Sequence, residues 1–207
     1  MYLKREREFQ YHPGIEKIIE GVIGGGTIAR TDFAGAIFKG VPLDELPPLV
    51  IVVQDETTGI YHALKTAKVT TAAVAAAVEY QVKKNHVFAV GDVVTVGGSF
   101  AGAADTITKI DKSNADYDVI TVEGSIGAAA VDAVLVLAKA KATAGAVVPK
   151  YGTKTSELYI TMSKVNLTVA NQSAGLLVRG TVNGKVLPFP IDDALETRLQ
   201  TQGIRIV

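Results

Sequence analysis

The side chains best suited to acid–base or metal chemistry in this 207-residue chain are three histidines, His12, His62 and His86, and a run of carboxylates, Asp111, Asp116, Asp118 and Glu123. Closely spaced hard oxygen ligands are what a calcium ion needs. Counted as a calcium-binding loop from Asp111, however, position three is Ser113, position five is Ala115, position six is no glycine and position twelve is Val122. The run instead reads as a polar turn between two strands with solvated carboxylates, because Asp and Asn bond their own backbone and tolerate left-handed conformations. The histidines lie far apart and form no HExxH, so neither a zinc site nor a triad is expected from them, and each reads as surface or half-buried packing. With no cysteine, thiol nucleophiles and thiolate metal cages are excluded. Gly24-Gly25-Gly26, followed by Ala29, meets a loose dinucleotide-binding pattern, but Gly35, Gly40 and Pro42 interrupt the crossover helix that a pyrophosphate would need. The glycines read as a tight turn. No catalytic, cofactor-binding or metal-binding residue is expected, no cofactor is implied, and the chain is read as a non-enzyme.

Composition narrows the partners. A hydrophobic content of 48 % and a mean hydropathy of +0.26 allow a real core. Twenty-one basic and twenty-one acidic side chains cancel, so no net field attracts nucleic acid or an anionic membrane. The longest uninterrupted apolar run, Ala72 to Val78, is seven residues, well short of the roughly 20 of a membrane-spanning helix. The opening residues mix both signs of charge, Lys4 to Glu8, without an apolar stretch; they read as a solvated terminus and not as a secretory signal.

The elements that position these groups divide the chain into three expected parts: 1–75, 76–145 and 146–207. The first, rich in Gly and Pro to about Asp55, reads as an extended N-terminal arm with short strands. The second carries short β-branched runs between turn signals: Glu79–Lys83, Val87–Val90, Val93–Val96, Thr106–Ile110, Val119–Val122 and Val134–Leu137. That pattern predicts a small β-barrel or sandwich. In the third, Asn183-Gly184 between Gly180–Val182 and Lys185–Leu187 predicts a C-terminal β-hairpin on a type I′ turn. Asp192 and Asp193 then start one short helix over Ala194–Gln200, which Gly203 stops. Its apolar residues Ile191, Leu195 and Leu199 share a face expected to dock on the sheet or on a neighbouring subunit. The fold class is therefore mainly β.

The central block also carries a resemblance. Val82 to Val94 (VKKNHVFAVGDVV), Thr106 to Asp111 (TITKID) and Ser113 to Val122 (SNADYDVITV) are similar to the small β-barrel of tailed-phage and prophage virion proteins, the head-decoration and head-fibre-like components. The resemblance covers about sixty residues. It implies a structural, non-enzymatic role in the virion, in a protein made in the bacterial host cytoplasm. Implied partners are further copies of the chain, as a trimer or another symmetric homo-oligomer, and the major capsid or other virion proteins, with no nucleic acid or membrane. A carbohydrate- or cell-surface-binding module is the alternative, against which the absence of tryptophan counts. Two expectations follow: residues 1 to about 55 would act as a detachable attachment arm, and Leu195 would sit at a subunit interface.

Overall fold

The computed structural model describes residues 12–33, 37–38, 41–43, 45–153, 155–168 and 170–207. The mixed-charge run Lys4 to Glu8 lies outside them. Ahead of the central block stand β1 (Ile15–Gly21), β2 (Gly26–Ile28), β3 (Ile37–Phe38), β4 (Val41–Pro42), β5 (Glu45–Leu46), β6 (Ile51–Gln54), β7 (Tyr61–Ala63) and β8 (Thr66–Lys68). The block itself contributes β9 (Glu79–Lys83), β10 (Val93–Val96), β11 (Ala104–Asp111), β12 (Tyr117–Val122) and β13 (Val134–Leu137). After it come β14 (Leu158–Thr161), β15 (Val165–Asn166), β16 (Gln172–Ala174), β17 (Leu176–Val182), α1 (Asp193–Gln202) and β18 (Ile204–Ile206). The protein is mainly β with one short C-terminal helix, as the patterning predicts.

Two sheets carry the structure. The order β1-β17-β14-β6-β7-β2-β16, with β18 pairing alongside β17, unites strands from both ends of the chain in an eight-stranded sheet. The second, β8-β13-β10-β11-β12-β9, is six-stranded and curls until Val69, just past β8, bridges Val82 on β9 at the opposite edge. Thr70 N–H donates to the Gln81 carbonyl at 2.9 Å across this seam. Closing a sheet in this way hides the backbone groups that an open edge would expose.

Burial follows the period-two alternation of side chains. In β9, Tyr80 and Val82 point into the half-barrel while Glu79 and Lys83 face water; in β12, Asp118, Ile120 and Val122 point inward. Val50–Val53 in and beside β6, and the whole of β13, are unbroken apolar runs because both of their faces are covered. Ile51 and Val53 join the core beneath α1, whereas Val50 and Val52 enter the core on the other side of the sheet. Likewise Leu135 and Leu137 fill the half-barrel, while Val134 and Val136 belong to the core beneath α1. β13 is thus the seam between the two sheets.

Four expectations change. Val87–Val90 is not a strand: Val87 and Phe88 enter different cores, and Gly91, at φ 94°, turns the chain after them. Within the expected arm, β1, β2 and β6 are strands of the eight-stranded sheet and β6 lies in its middle, so the described segment from Ile15 to Gln54 is part of the core and not detachable from it. The Asn183-Gly184 hairpin does not form. Asn183 takes φ −74°, ψ 112° and caps a single 3-10 turn over Gly184–Val186, because β17 already has β1 on one side and β14 and β18 on the other. Finally, α1 is capped by Asp192, whose side chain accepts from Leu195 N–H, and stopped by left-handed Gly203, but Leu195 and Leu199 are wholly buried in their own chain. They pack against the sheet, the first of the two expected docking surfaces, and Leu195 itself is not exposed to a neighbouring subunit.

Candidate functional sites at the seam between the sheets

Gly24 and Gly25, at φ 80° and 74°, turn β1 into β2, with Gly25 N–H donating to the Val22 carbonyl at 3.0 Å. A Cβ on Gly26 would meet the Tyr61 ring at 2.5 Å, so this glycine serves close strand packing. The four carboxylates of the Asp111–Glu123 run do not converge. Asp111 accepts Ser113 N–H at 3.0 Å in the turn, which holds its carboxyl down at about 2, through Ser113 first and Lys109 after it. Glu123 pairs with Lys141. Asp118 departs from the solvated reading: alternation puts it on the inward face of β12, 4 % exposed.

A carboxylate in that position needs partners. Lys84 Nζ donates to Asp118 Oδ1 at 2.7 Å, and His86 Nε2 lies 3.2 Å from Oδ2, outside hydrogen-bond alignment. His86 Nδ1 accepts Phe88 N–H at 3.3 Å, so the ring is anchored as the Nε2–H tautomer. Burial pushes its pKa down to about 4 against the pull of Asp118, with Lys112 and Lys84 adding to the lowering. Asn85 sits between Lys84 and His86 at φ 69°, a left-handed turn that Asn tolerates.

These residues flank a cleft of about 290 Å³ between the half-barrel and the segment Leu187–Pro190. One wall carries Lys68, Lys83, Lys84 and His86; the other is Leu187, Pro188, Phe189 and Pro190. Thr66 Oγ1 donates to the Pro190 carbonyl at 2.6 Å and fixes the two walls together.

A second polar cluster lies where the large sheet meets the seam. Asp32, in a 3-10 turn over Thr31–Phe33, accepts Ala63 N–H at 2.9 Å through Oδ2 and approaches His62 Nδ1 at 2.9 Å through Oδ1. A carboxylate can only accept, so His62 Nδ1 carries a proton toward Asp32 Oδ1. The His62 ring stacks on Tyr151 at 3.5 Å between centroids. Burial raises the Tyr151 phenol, and Asp32, Asp92 and Asp55 raise it further. Nearby, Lys65 and Asp92 form a buried ion pair at 2.8 Å. An Asp–His pair of this kind is the orienter and base of a nucleophilic triad. Among the described residues no hydroxyl donates to His62 and no group of three His, Cys, Asp or Glu is placed to hold a metal ion. Sequence reading misses both clusters, since Asp32 meets His62 across 30 residues and Lys84 meets Asp118 across 34. The available signals were an acidic residue on an inward β12 position and the isolated Lys65 and Asp92 beside apolar runs.

Among the described residues no helix is long and apolar enough to cross a membrane. No known protein family, no curated protein and no solved structure matches the chain.

Proposed function

We propose that this chain is a non-enzymatic structural component of a phage or prophage particle, a head-decoration or fibre subunit that assembles with copies of itself and attaches to the capsid. It is made in the host cytoplasm and resides in the virion. The virion part of the reading rests on the resemblance carried by Val82–Val94, Thr106–Asp111 and Ser113–Val122, residues that lie in or beside strands β9 to β12 of the half-barrel.

The observation that carries the assembly part is a charge-free apolar face at one end of the half-barrel. Residues 72–78 (AAVAAAV) and 125–131 (SIGAAAV) contain no ionisable side chain. They are stitched by the Ala73–Ala129 bridge and held from below by Tyr80, whose single hydroxyl proton is shared between the carbonyls of Ala77 and Gly127 at 3.0 and 2.7 Å. Val74 is 72 % exposed and Val131 56 %. An exposed apolar patch of this kind, next in sequence to the charged Glu79 and Asp132, supports the reading of an assembly face. A second copy is the partner it fits, because an uncharged face meets itself without like-charge repulsion.

Sedimentation equilibrium of the purified chain tests this. The expected mass is a small multiple of 21.7 kDa, falling to the single-chain value in Val74→Asp/Val131→Asp while the melting temperature holds. A wild-type chain that sediments as a monomer at all accessible concentrations overturns the assembly reading.

A further inference from the structure

The cleft between the half-barrel and Leu187–Pro190 is independent of the assembly face, and nothing in a structural role requires it. Its two walls differ in kind. The β8 and β9 side carries Lys68, Lys83 and Lys84, and no carboxylate lines the cavity. Asp118 is engaged by Lys84, with its side chain only 6 % exposed. Lys68 pairs with Asp132 at 2.8 Å, whose side chain is 70 % exposed. Lys83 is exposed and has no ion-pair partner among the described residues. Lys68 and Lys84 are thus balanced by Asp132 and Asp118, and among the described residues the Lys83 ammonium is the uncompensated charge of the lining. The opposite wall is apolar, made by Leu187, Phe189 and the two prolines, and the Thr66–Pro190 hydrogen bond preforms the gap. Preformed concave sites with an apolar surface and a few convergent polar groups are the ordinary form of a small-ligand pocket, and this volume falls just under the roughly 300 Å³ at which their range begins. The left-handed backbone at Asn85 is what turns the chain so that Lys83, Lys84 and His86 all border the same hollow.

We infer that this cleft binds a small organic carboxylate carrying an apolar ring. The carboxylate sits against Lys83 and Lys84, and the ring lies against Leu187, Pro188 and Phe189. The lysines set the sign of charge and the prolines and phenylalanine set the preference for a flat apolar body.

The test is a titration of the full-length chain with sodium benzoate at pH 7, followed by amide ¹H–¹⁵N correlation spectra. Benzyl alcohol serves as the uncharged isostere and glucuronate as the polar-ring carboxylate. The expected result is saturable shifts at Lys83, Lys84, Asn85, His86, Leu187 and Phe189 with benzoate, and much weaker ones with either control. Lys83→Ala weakens benzoate about fivefold, by loss of one exposed ammonium contact, and Lys83→Glu abolishes saturation, with spectra unchanged away from the cleft. Lys68→Glu, also on the surface, gives the same direction if Lys83→Glu perturbs β9. The inference is overturned if benzoate leaves these amides unmoved, if benzyl alcohol matches it, if glucuronate binds more tightly, or if both charge reversals bind benzoate as the native chain does.

Discussion

Asp118 Oδ2 lies 3.2 Å from His86 Nε2, with the two side chains 6 % and 1 % exposed, and Lys84 completes the group from the rim at 2.7 Å. A strand that alternates inward Asp118, Ile120 and Val122 thus keeps a charged residue on its core face, and the end of β9 folds over to answer it. Burial, not the carboxylate, dominates the imidazole.

That balance gives stability a pH dependence of definite sign. His86 is held at about 4 in the fold against 6.5 ordinarily. As pH falls below 6.5, the unfolded chain takes up a proton that the folded chain refuses until about pH 4, so stability declines across this window and levels off below it for this group. Asp111 acts lower: its carboxyl is held down at about 2, so its stabilising contribution is present above 3.8 and lost as pH falls through 2. Urea unfolding at pH 7, 5.5 and 4.5 should show the decline in the native chain and a flatter profile in His86→Gln. Equal slopes in the two would mean that another group titrates.

The Lys65–Asp92 pair is more deeply buried than any exposed ion pair of the surface, with side chains 8 % and 10 % exposed. Asp92 also accepts Ala89 N–H at 2.9 Å. Lys65→Met leaves that carboxylate without its cation and is expected to cost about 3 kcal/mol. Adding Asp92→Asn, which keeps the acceptor for Ala89, should restore part of the loss. A double variant as unstable as the sum of the singles would show that the pair is not coupled.

Tyr80 is fully buried, and its hydroxyl serves two carbonyls beneath the apolar end of the half-barrel. Tyr80→Phe is expected to cost about 1–2 kcal/mol and to speed hydrogen exchange in 72–78 and 125–131 before the rest of the half-barrel. Unchanged exchange there would remove the tyrosine from the role of strut.

At the C-terminus, Leu195→Ala is expected to destabilise the chain by about 2–5 kcal/mol without changing its oligomeric mass, since the residue is wholly buried in its own chain. Asp192 accepts from both Leu195 N–H at 3.0 Å and Gly98 N–H at 2.7 Å. Asp192→Ala should therefore cost about 1–2 kcal/mol, the upper part of the usual capping range.

What was legible in the chain follows from which signals are local. Asp192 and Gly203 bounded α1 because caps and left-handed stops depend on neighbours a few residues away. The short β-branched runs Glu79–Lys83 and Val119–Val122 marked two strands that form as β9 and β12, whose inward residues Tyr80, Val82, Ile120 and Val122 are buried. Asn183-Gly184 misled because a turn preference of that dipeptide is weaker than the pairing β17 obtains from β1, β14 and β18. Both polar clusters stayed hidden because their members come from different strands. Asp118 was the exception: its place in the alternation already put it indoors, and reading it as part of the Asp111–Asp116 turn obscured that.

The central claim, a virion structural role, is tested most directly by quantitative mass spectrometry of density-purified particles induced from the source strain. The account predicts peptides of this chain in the particle band at a fixed ratio to the major capsid protein. Peptides confined to the soluble fraction, with none in the band, would contradict it.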